Sequence, residues 1–201
     1  ADLEELKVLL KETPEHAVID YLCREGAAPF GAIEEGGYHH YATYLKRQIQ
    51  VEAEEKVPEG KMAKLLYDMY QPDCAKYAVE SDVPQIYELL LENFDLQADH
   101  IPSEDDLLQI VKEKEVMIYK IGDKIECFFI YRREGKKLYC AFSYNHASAD
   151  ILYSIERRVK EIEYEENGIK MHYAWFNAKN KKALRRNAWK DTKIRDYIFV
   201  K

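Results

Sequence analysis

The chain has 201 residues, of which 47% are hydrophobic and 33% charged, and its formal net charge is −7. These values are typical of a folded globular protein with one domain or two small ones. No apolar run approaches the roughly 18 residues that a membrane span requires. The acidic, leucine-containing N-terminal stretch lacks the basic flank and apolar core of a signal peptide. We therefore expect a cytoplasmic protein with no membrane partner.

Charge is distributed unevenly along the sequence. The first 75 residues carry 8 basic and 15 acidic side chains, whereas residues 179–201 carry nine basic and two acidic ones. A short cationic segment on an acidic protein favours a phosphorylated small molecule over a nucleic acid as the partner. A solvated helix face gives the same pattern, and the sequence leaves both interpretations open.

Several common kinds of site are not predicted, because the sequence lacks their motifs. The four cysteines are far apart and form no C-x-x-C pair, so neither a structural zinc site nor a disulfide framework is predicted. His39 and His40 are adjacent, and neighbouring side chains on a helix point about 100° apart, so no metal site is expected there. The P-loop, zincin and G-x-S-x-G signatures are absent from the sequence.

Residues 1–75 show apolar side chains at helical spacing. The pattern predicts a helix at the N-terminus, a second around residues 18–22, a third over about 41–55 and a fourth around 62–69. A glycine-rich loop over residues 26–37 separates the second helix from the third. We therefore expect residues 1–75 to form a helical N-terminal region.

From residue 76 onward the pattern changes to alternating strands and helices. Ser103 is an N-cap for one predicted helix, and Asn167-Gly168 ends a longer one. The predicted order is β-α-α-β-β-β-α-β-α-β, with strands near 76–79, 116–121, 124–131, 138–144, 169–176 and 197–200 and a basic helix over 180–190. Residues 76–201 are thus predicted to form an α+β, or mixed α/β, domain whose sheet is flanked by helices.

This order resembles the GNAT superfamily of N-acyltransferases over about 125 residues. The clearest matching segments are VESDVPQI at residues 79–86 and NKKAL at residues 180–184. The resemblance implies an acyl-CoA-dependent N-acyltransferase, or acetyltransferase. Its co-substrate would be acetyl-CoA or another acyl-CoA, and its acceptor a small-molecule or peptide amine.

The family binds the cofactor pyrophosphate with a loop of the form R/Q-x-x-G-x-G/A ahead of its long helix. Here residues 144–150 read YNHASAD, so alanines replace the glycines and a carboxylate follows them. A carboxylate there repels phosphate, and a serine or aspartate that only caps the helix is the alternative interpretation. The cofactor-binding residues that the resemblance implies are Phe142, Ser143, Tyr144, Ala147, Ser148, Ala149, Asp150, Asn180 and Arg185.

The family also needs a base for the amine, and frequently a tyrosine on the fourth helix that protonates the leaving thiolate. Asn187 stands where that tyrosine commonly falls. Three residues are candidates for these two roles. Glu126 could be the base, because burial would raise its pKa, and His172 could be a neutral base; Tyr144 could be the proton donor. A carboxylate on the wet face of the sheet and a hydrogen-bonded core histidine are the structural alternatives.

Two functions therefore remain open from the sequence. One is an amine acyltransferase, and the other is a catalytically inactive GNAT-like domain that serves as a binding or regulatory module. The sequence indicates neither the acceptor nor the oligomeric state.

Overall fold

A computed structural model describes residues 3–14, 16–26, 30–53, 55–185 and 188–201, with the backbone alone for residues 3–7. The chain divides into two compact units. The first comprises Ala1–Gln48, Asp95–His100 and Trp175–Lys201, and the second comprises Ile49–Phe94 and Ile101–Ala174. Within the described ranges, no helix is both long enough and apolar enough to cross a membrane.

The first unit is built around an antiparallel sheet. Its elements are α1 (Leu3–Glu12), β1 (Val18–Arg24), α2 (Phe30–Glu35), β2 (His39–Gln50, of which residues 39–48 belong here), α7 (Lys181–Leu184) and β8 (Lys190–Val200). Strand β8 pairs with β1 on one side and with β2 on the other. Phe199 and Ile198 are neighbours on β8 and therefore point to opposite faces, where each joins a separate apolar cluster.

Two segments predicted to be helical are strands. In β1, exposed and half-buried residues alternate with a period of two, and Val18 and Leu22 lie on the exposed side. In β2, Ala42 and Tyr44 are the buried positions, again two residues apart. Each strand pairs with β8 through a backbone ladder, and this pairing with residues far along the chain overrides the local apolar spacing. The expected helical region thus contains two strands, and α2 lies inside the expected loop.

The second unit follows the predicted order of elements. They are α3 (Lys61–Asp68), β3 (Lys76–Tyr77), a 3-10 turn (Glu80–Asp82), α4 (Val83–Asn93), α5 (Glu104–Lys112), β4 (Val116–Ile121), β5 (Lys124–Glu134), β6 (Lys137–Asn145), α6 (Ala149–Asn167) and β7 (Met171–Asn177, of which residues 171–174 belong here). Strands β3 to β6 form an antiparallel succession, and β7 adds to β6 in parallel. A parallel addition requires a long crossover, which α6 supplies.

Helices cover both faces of this sheet. Phe128 faces α4 and α5, together with Ile86, Leu90 and Leu107. Its neighbour Phe129 points the other way, to the cluster that α6 forms with the sheet. Because each fully buried large apolar side chain contributes about 1.5–3 kcal/mol, these two clusters fix the helices on the sheet. This arrangement confirms the predicted α+β fold with a sheet flanked by helices.

Local capping explains where the predicted helices begin and end. Ser103 Oγ accepts the N–H of Asp106 at the start of α5. Gly168 ends α6 in the left-handed region, with φ 63°. Residues other than glycine disfavour this conformation because their Cβ atom clashes with the backbone. The expected basic helix over 180–190 is shorter: α7 has four residues, and β8 begins at Lys190.

Candidate functional site

Strands β6 and β7 are paired over only part of their length. The parallel ladder joins Lys137–Cys140 to Met171–Ala174. Along the other side of β6, Ile130 lies opposite Phe142 and Tyr131 opposite Cys140, so Ala141 is an extra, bulged residue. A bulge bends its strand and interrupts the ladder. The bulge coincides with the end of the β6–β7 pairing. Residues 141–145 lie beyond the last pair of that ladder, and we call them the open edge of β6.

The turn after the open edge is held by Glu126 of β5. The main-chain oxygen of Glu126 accepts the N–H groups of His146, at 2.8 Å, and of Ala147, at 3.2 Å. The side-chain amide of Asn145 donates to the oxygen of Ser148 at 3.1 Å. These bonds fix the path of the chain into α6, and they also occupy two of the N–H groups in the region where the family binds pyrophosphate.

The next N–H groups are free to receive an anion. Ser148 is the N-cap of α6 with extended backbone (φ −89°, ψ 161°), and its side chain makes no capping hydrogen bond. In the part of the chain that is described, the N–H groups of Ser148, Ala149 and Asp150 have no acceptor. Such groups carry the positive end of the helix dipole and bind anions. Ala147 and Ala149 are not among the described residues with positive φ, so this turn forms without glycine.

Asp150 does not cap its own helix. Its carboxylate is buried and lies 3.4 Å from Nε2 of Gln71, whose main-chain N–H donates to Ser154 Oγ at 3.0 Å. Asp150 therefore leaves the N–H groups of the turn open, but it keeps a negative charge in the first turn of α6.

Glu126 has the opposite electrostatic environment from the predicted one. Its carboxylate contacts Lys124 Nζ at 2.8 Å and His146 Nδ1 at 2.6 Å. Hydrogen bonds from these two groups lower the pKa of the Glu126 carboxyl, and burial opposes the shift without reversing it. The expectation that burial raises this pKa was wrong, because charged partners outweigh desolvation.

His172 lies on the α6 side of the sheet, within the paired part of β7. Its ring is fully buried, packs edge-on against Phe129 with ring centroids 5.9 Å apart, and places Nδ1 3.8 Å from the Glu156 carboxylate. It lies opposite Leu138, two pairs before the ladder ends. The structure thus places His172 in the core, away from the open edge.

The aromatic residues of the open edge pack on the α4–α5 side. Phe142 is buried with its ring edge-on to Phe94, at a centroid distance of 5.0 Å. Tyr144 stacks on Phe128 at 5.4 Å, and Ser143 between them is exposed. The two rings anchor this edge on the α4–α5 side, and residues 142–145 remain paired with β5.

Asn180 and Arg185 lie in the first unit, at the two ends of α7. Asn180 Oδ1 accepts the N–H of Ala183 at 3.0 Å, so this side chain is a helix cap, and Arg185 is exposed. Asn187 lies outside the described residues. Asn180 and Arg185 therefore flank a single-turn helix, whereas the sequence predicted both within a helix over 180–190.

The structure brings together one further group of side chains beside the ladder. Tyr139 of β6 and Tyr173 of β7 lie opposite each other with stacked rings, and the Tyr173 hydroxyl donates to the Glu134 carboxylate. Burial and this carboxylate raise the pKa of Tyr173 well above its usual value. The sequence offered 16 tyrosines and no local signal that would join these two to Glu134, which is 39 residues from Tyr173.

Comparison with solved structures supports the fold, whereas comparison by sequence finds no match. No family model matches the sequence, and no curated protein matches it. A GCN5-related N-acetyltransferase from Sphaerobacter thermophilus is 14% identical, with a TM-score of 0.63, over 92% of this chain and 59% of that one. A proposed GNAT-family acetyltransferase from Novosphingobium aromaticivorans is 13% identical, with a TM-score of 0.60, over 99% of this chain and 80% of that one.

A third similar structure is a conserved protein of unknown function from Staphylococcus epidermidis, 8% identical, with a TM-score of 0.62, over 98% of this chain and 79% of that one. This chain spans less than two thirds of the Sphaerobacter protein and about four fifths of the other two. The likeness to the Sphaerobacter and Novosphingobium proteins and the order of elements lead to one conclusion: the chain has the fold of the GNAT acetyltransferases.

Proposed function

We propose that this chain binds an acyl-coenzyme A along the open edge of β6 and transfers its acyl group to an amine. The observation that carries the proposal is the end of the β6–β7 ladder at the pair Cys140–Ala174, followed by the free N–H groups at the start of α6. The fold, which is that of known acetyltransferases, supports the same class of reaction.

The residues of the second unit fit such a ligand by their chemistry. Peptide groups of residues 141–145 can exchange hydrogen bonds with the amides of the pantetheine arm, as a neighbouring strand would. The N–H groups of Ser148, Ala149 and Asp150 suit the pyrophosphate. When bound, acyl-coenzyme A supplies an activated thioester carbonyl. Asn180 and Arg185 stay predictions of the sequence.

Acyl transfer also requires a group that removes a proton from the amine. An amine must be neutral when it attacks a thioester, so a base has to lie within its reach. Glu126 is paired with Lys124 and His146, His172 is in the core, and Tyr144 stacks on Phe128. These environments favour the second candidate function, a GNAT-like module that binds the acyl-coenzyme A without catalysis.

Proline substitution at the first residue of α6 tests the proposed phosphate contact. Ala149→Pro removes one N–H, and a helix tolerates proline at this position when the preceding residue is extended, as Ser148 is. Calorimetric titration with acetyl-coenzyme A should show binding to the wild type and about tenfold weaker binding to the variant, because a hydrogen bond to a charged group is lost. Equal affinities would contradict the assigned site, and no heat from the wild type would contradict the proposed function.

A matched control is available in α5. Glu104 is the first residue of that helix and follows Ser103, which is also extended (φ −64°, ψ 163°). Glu104→Pro should therefore be tolerated equally and leave the affinity for acetyl-coenzyme A unchanged. Release of free coenzyme A thiol in the presence of primary amines then separates the two candidate functions, since a binding module releases none.

A further inference from the structure

Strand β1 of the first unit has one edge that no described strand pairs with. Its other edge pairs with β8 over all seven residues, and the N–H of Glu25 donates to the oxygen of Lys193, at 2.9 Å, in the same register. Peptide groups alternate in direction along an antiparallel ladder. Because those of Glu25 point to β8, the peptide groups of Asp20, Leu22 and Arg24 point away from it.

This edge lacks the features that usually prevent pairing between edge strands. Proline, lysine or a bulge commonly blocks pairing along such an edge, and β1 contains none of them. Ile19 and Tyr21 pack into the apolar cluster of the first unit, so Val18 and Leu22 lie on the other face. Leu22 is 58% exposed. The edge is therefore accessible to another strand.

The charges of β1 match those of a second β1. Asp20 and Arg24 have opposite signs, lie on the same face and are placed symmetrically about Leu22. When two such strands run antiparallel with Leu22 opposite Leu22, each Asp20 lies opposite Arg24 of the other copy. In that register the outward peptide groups of the same three residues also face one another, so they can exchange hydrogen bonds. The edge is thus complementary to itself.

Both charged groups can take part in such a contact. Arg24 is exposed and makes no ion pair within the described ranges. The Asp20 carboxylate contacts His100 Nε2 through Oδ2, at 2.7 Å, and Oδ1 has no hydrogen bond to any residue that the structure describes. Asp20 can therefore keep its contact with His100 and accept a guanidinium through the other oxygen.

We propose that β1 pairs with β1 of a second copy of this chain, antiparallel and with Leu22 on the two-fold axis. Main-chain hydrogen bonds supply the affinity of such a strand addition. The two symmetric Asp20–Arg24 pairs set the register and select a second copy over strands with other charges, because opposite charges across a ladder stabilise it and like charges destabilise it.

Charge reversal tests the register. Sedimentation equilibrium of the full chain should show reversible association of the wild type into a dimer. Arg24→Asp places an acid opposite Asp20 in both symmetric pairs and should weaken self-association by about tenfold. Asp20→Arg, which makes both positions basic, should weaken it similarly. An equimolar mixture of the two variants should recover the wild-type dimer, since each strand then faces the opposite charges.

Two further variants separate the edge from general effects. Lys182→Asp makes the same change of charge at an exposed position on α7 and should dimerise as the wild type does. Leu22→Pro removes an outward N–H, which edge strands tolerate, and should be monomeric with a wild-type circular dichroism spectrum. Arg24→Asp and Leu22→Pro leave the Asp20–His100 contact in place, so they decide the question if Asp20→Arg fails to fold.

Three results would overturn this interface. The first is a wild type that stays monomeric across the concentration range. The second is an Arg24→Asp or a folded Leu22→Pro variant that dimerises as strongly as the wild type, which would assign the contact to another surface or another register. The third is a mixture of the two folded charge variants that associates no better than either variant alone.

Discussion

The Glu126 carboxylate lies 2.6 Å from Nδ1 of His146, while the main-chain oxygen of Glu126 accepts the N–H of the same histidine at 2.8 Å. One residue of β5 thus holds both the backbone and the side chain at the start of the turn before α6. Because an ionised carboxylate accepts hydrogen bonds, the ring donates through Nδ1. Glu126 is better understood as a support for this turn than as a base.

Glu126→Gln should lower the stability of the fold in a pH-dependent way. The folded carboxyl binds its proton more weakly than its usual pKa of 4.5 implies, because Lys124 and His146 favour the anion. Its contribution to the free energy of unfolding is therefore present above pH 4.5 and is lost as the pH falls through the lower folded value. Thermal melts should separate the two proteins at pH 7, and the difference should shrink as the pH falls below 4.5. Glu166→Gln, at an exposed site, should show no such trend.

Asp150→Asn should tighten the binding of acetyl-coenzyme A. The buried carboxylate lies in the first turn of α6, where it repels a pyrophosphate at the same helix end. Two like charges about 4 Å apart in a water-like dielectric repel each other by about 1 kcal/mol, which corresponds to roughly fivefold in affinity. The substitution also removes a favourable helix-dipole interaction, so the variant should lose about 0.3–1 kcal/mol of stability.

Asp105→Asn is the control for this effect, since Asp105 occupies the first turn of α5. It should lose similar stability and leave the affinity unchanged. Calorimetry and urea denaturation measure the two quantities separately. An Asp150→Asn variant that binds more weakly than wild type would show that this carboxylate supports the ligand instead of repelling it.

Asp196 and Asp191 on β8 should affect stability with opposite signs. Burial, with a smaller effect of Asp20, raises the pKa of Asp196 to about 6, while His100 opposes the shift. Oδ1 of Asp196 is buried and has no hydrogen-bond partner among the described residues. Because the folded protein holds this proton more tightly than the unfolded chain, stability falls as the pH rises from about 4 to 6.

Asp196→Asn should therefore stabilise the protein at pH 8 by about 1–2 kcal/mol, a value reduced for solvent screening at a half-buried site. The gain should vanish below pH 4. Asp191 is held by both terminal nitrogens of Arg195, at 2.8 Å each, and the pKa of its carboxyl is well below the usual range. Asp191→Asn should lower stability at pH 8. Thermal melts at pH 3.5 and 8 check both signs, and the same sign for both variants would contradict this account.

The sequence predicted those parts of the fold whose signals are local. Strand β4 was predicted with the bounds it has, Val116–Ile121, and the end of α6 at Gly168 followed from a glycine that adopts positive φ. Strand β1 was missed because its pairing partner, β8, lies about 180 residues away, with Val18 opposite Val200. Apolar residues on both faces of a half-exposed strand imitate helical spacing over so short a segment.

The sequence predicted the position of the turn before α6 but not the geometry around it. Position in the chain identified the turn before α6, but the bulge at Ala141 depends on the register against β5 and has no sequence signature. The pKa of Glu126 depends on Lys124, two residues away, and on His146, which a strand pairing brings near. Burial could be inferred from the apolar neighbours in the sequence, whereas the partners of the carboxylate required the fold.

Arg157 fixes α3 against α6, and its replacement by lysine should destabilise the second unit. The guanidinium lies 4.0 Å from the ring centroid of Tyr70 and 4.6 Å from that of Tyr67. Its Nε also contacts the carboxylates of Glu161, at 2.9 Å, and Glu55, at 3.3 Å. Lysine keeps the charge but loses the planar group that stacks on both rings and contacts two carboxylates.

We expect Arg157→Lys to lower the free energy of unfolding in urea by about 1–2 kcal/mol, because one to two cation–π contacts and an ion-pair geometry are lost together. Its neighbour Arg158 makes one described contact, 3.8 Å to Glu161, and its side chain is 39% exposed. Arg158→Lys should therefore change stability by less than about 0.5 kcal/mol. In a Tyr70→Leu background the cost of Arg157→Lys should shrink, since part of the stacking partner is already gone. Equal costs at residues 157 and 158, or a cost at 157 that does not depend on Tyr70, would exclude stacking as the interaction that holds α3.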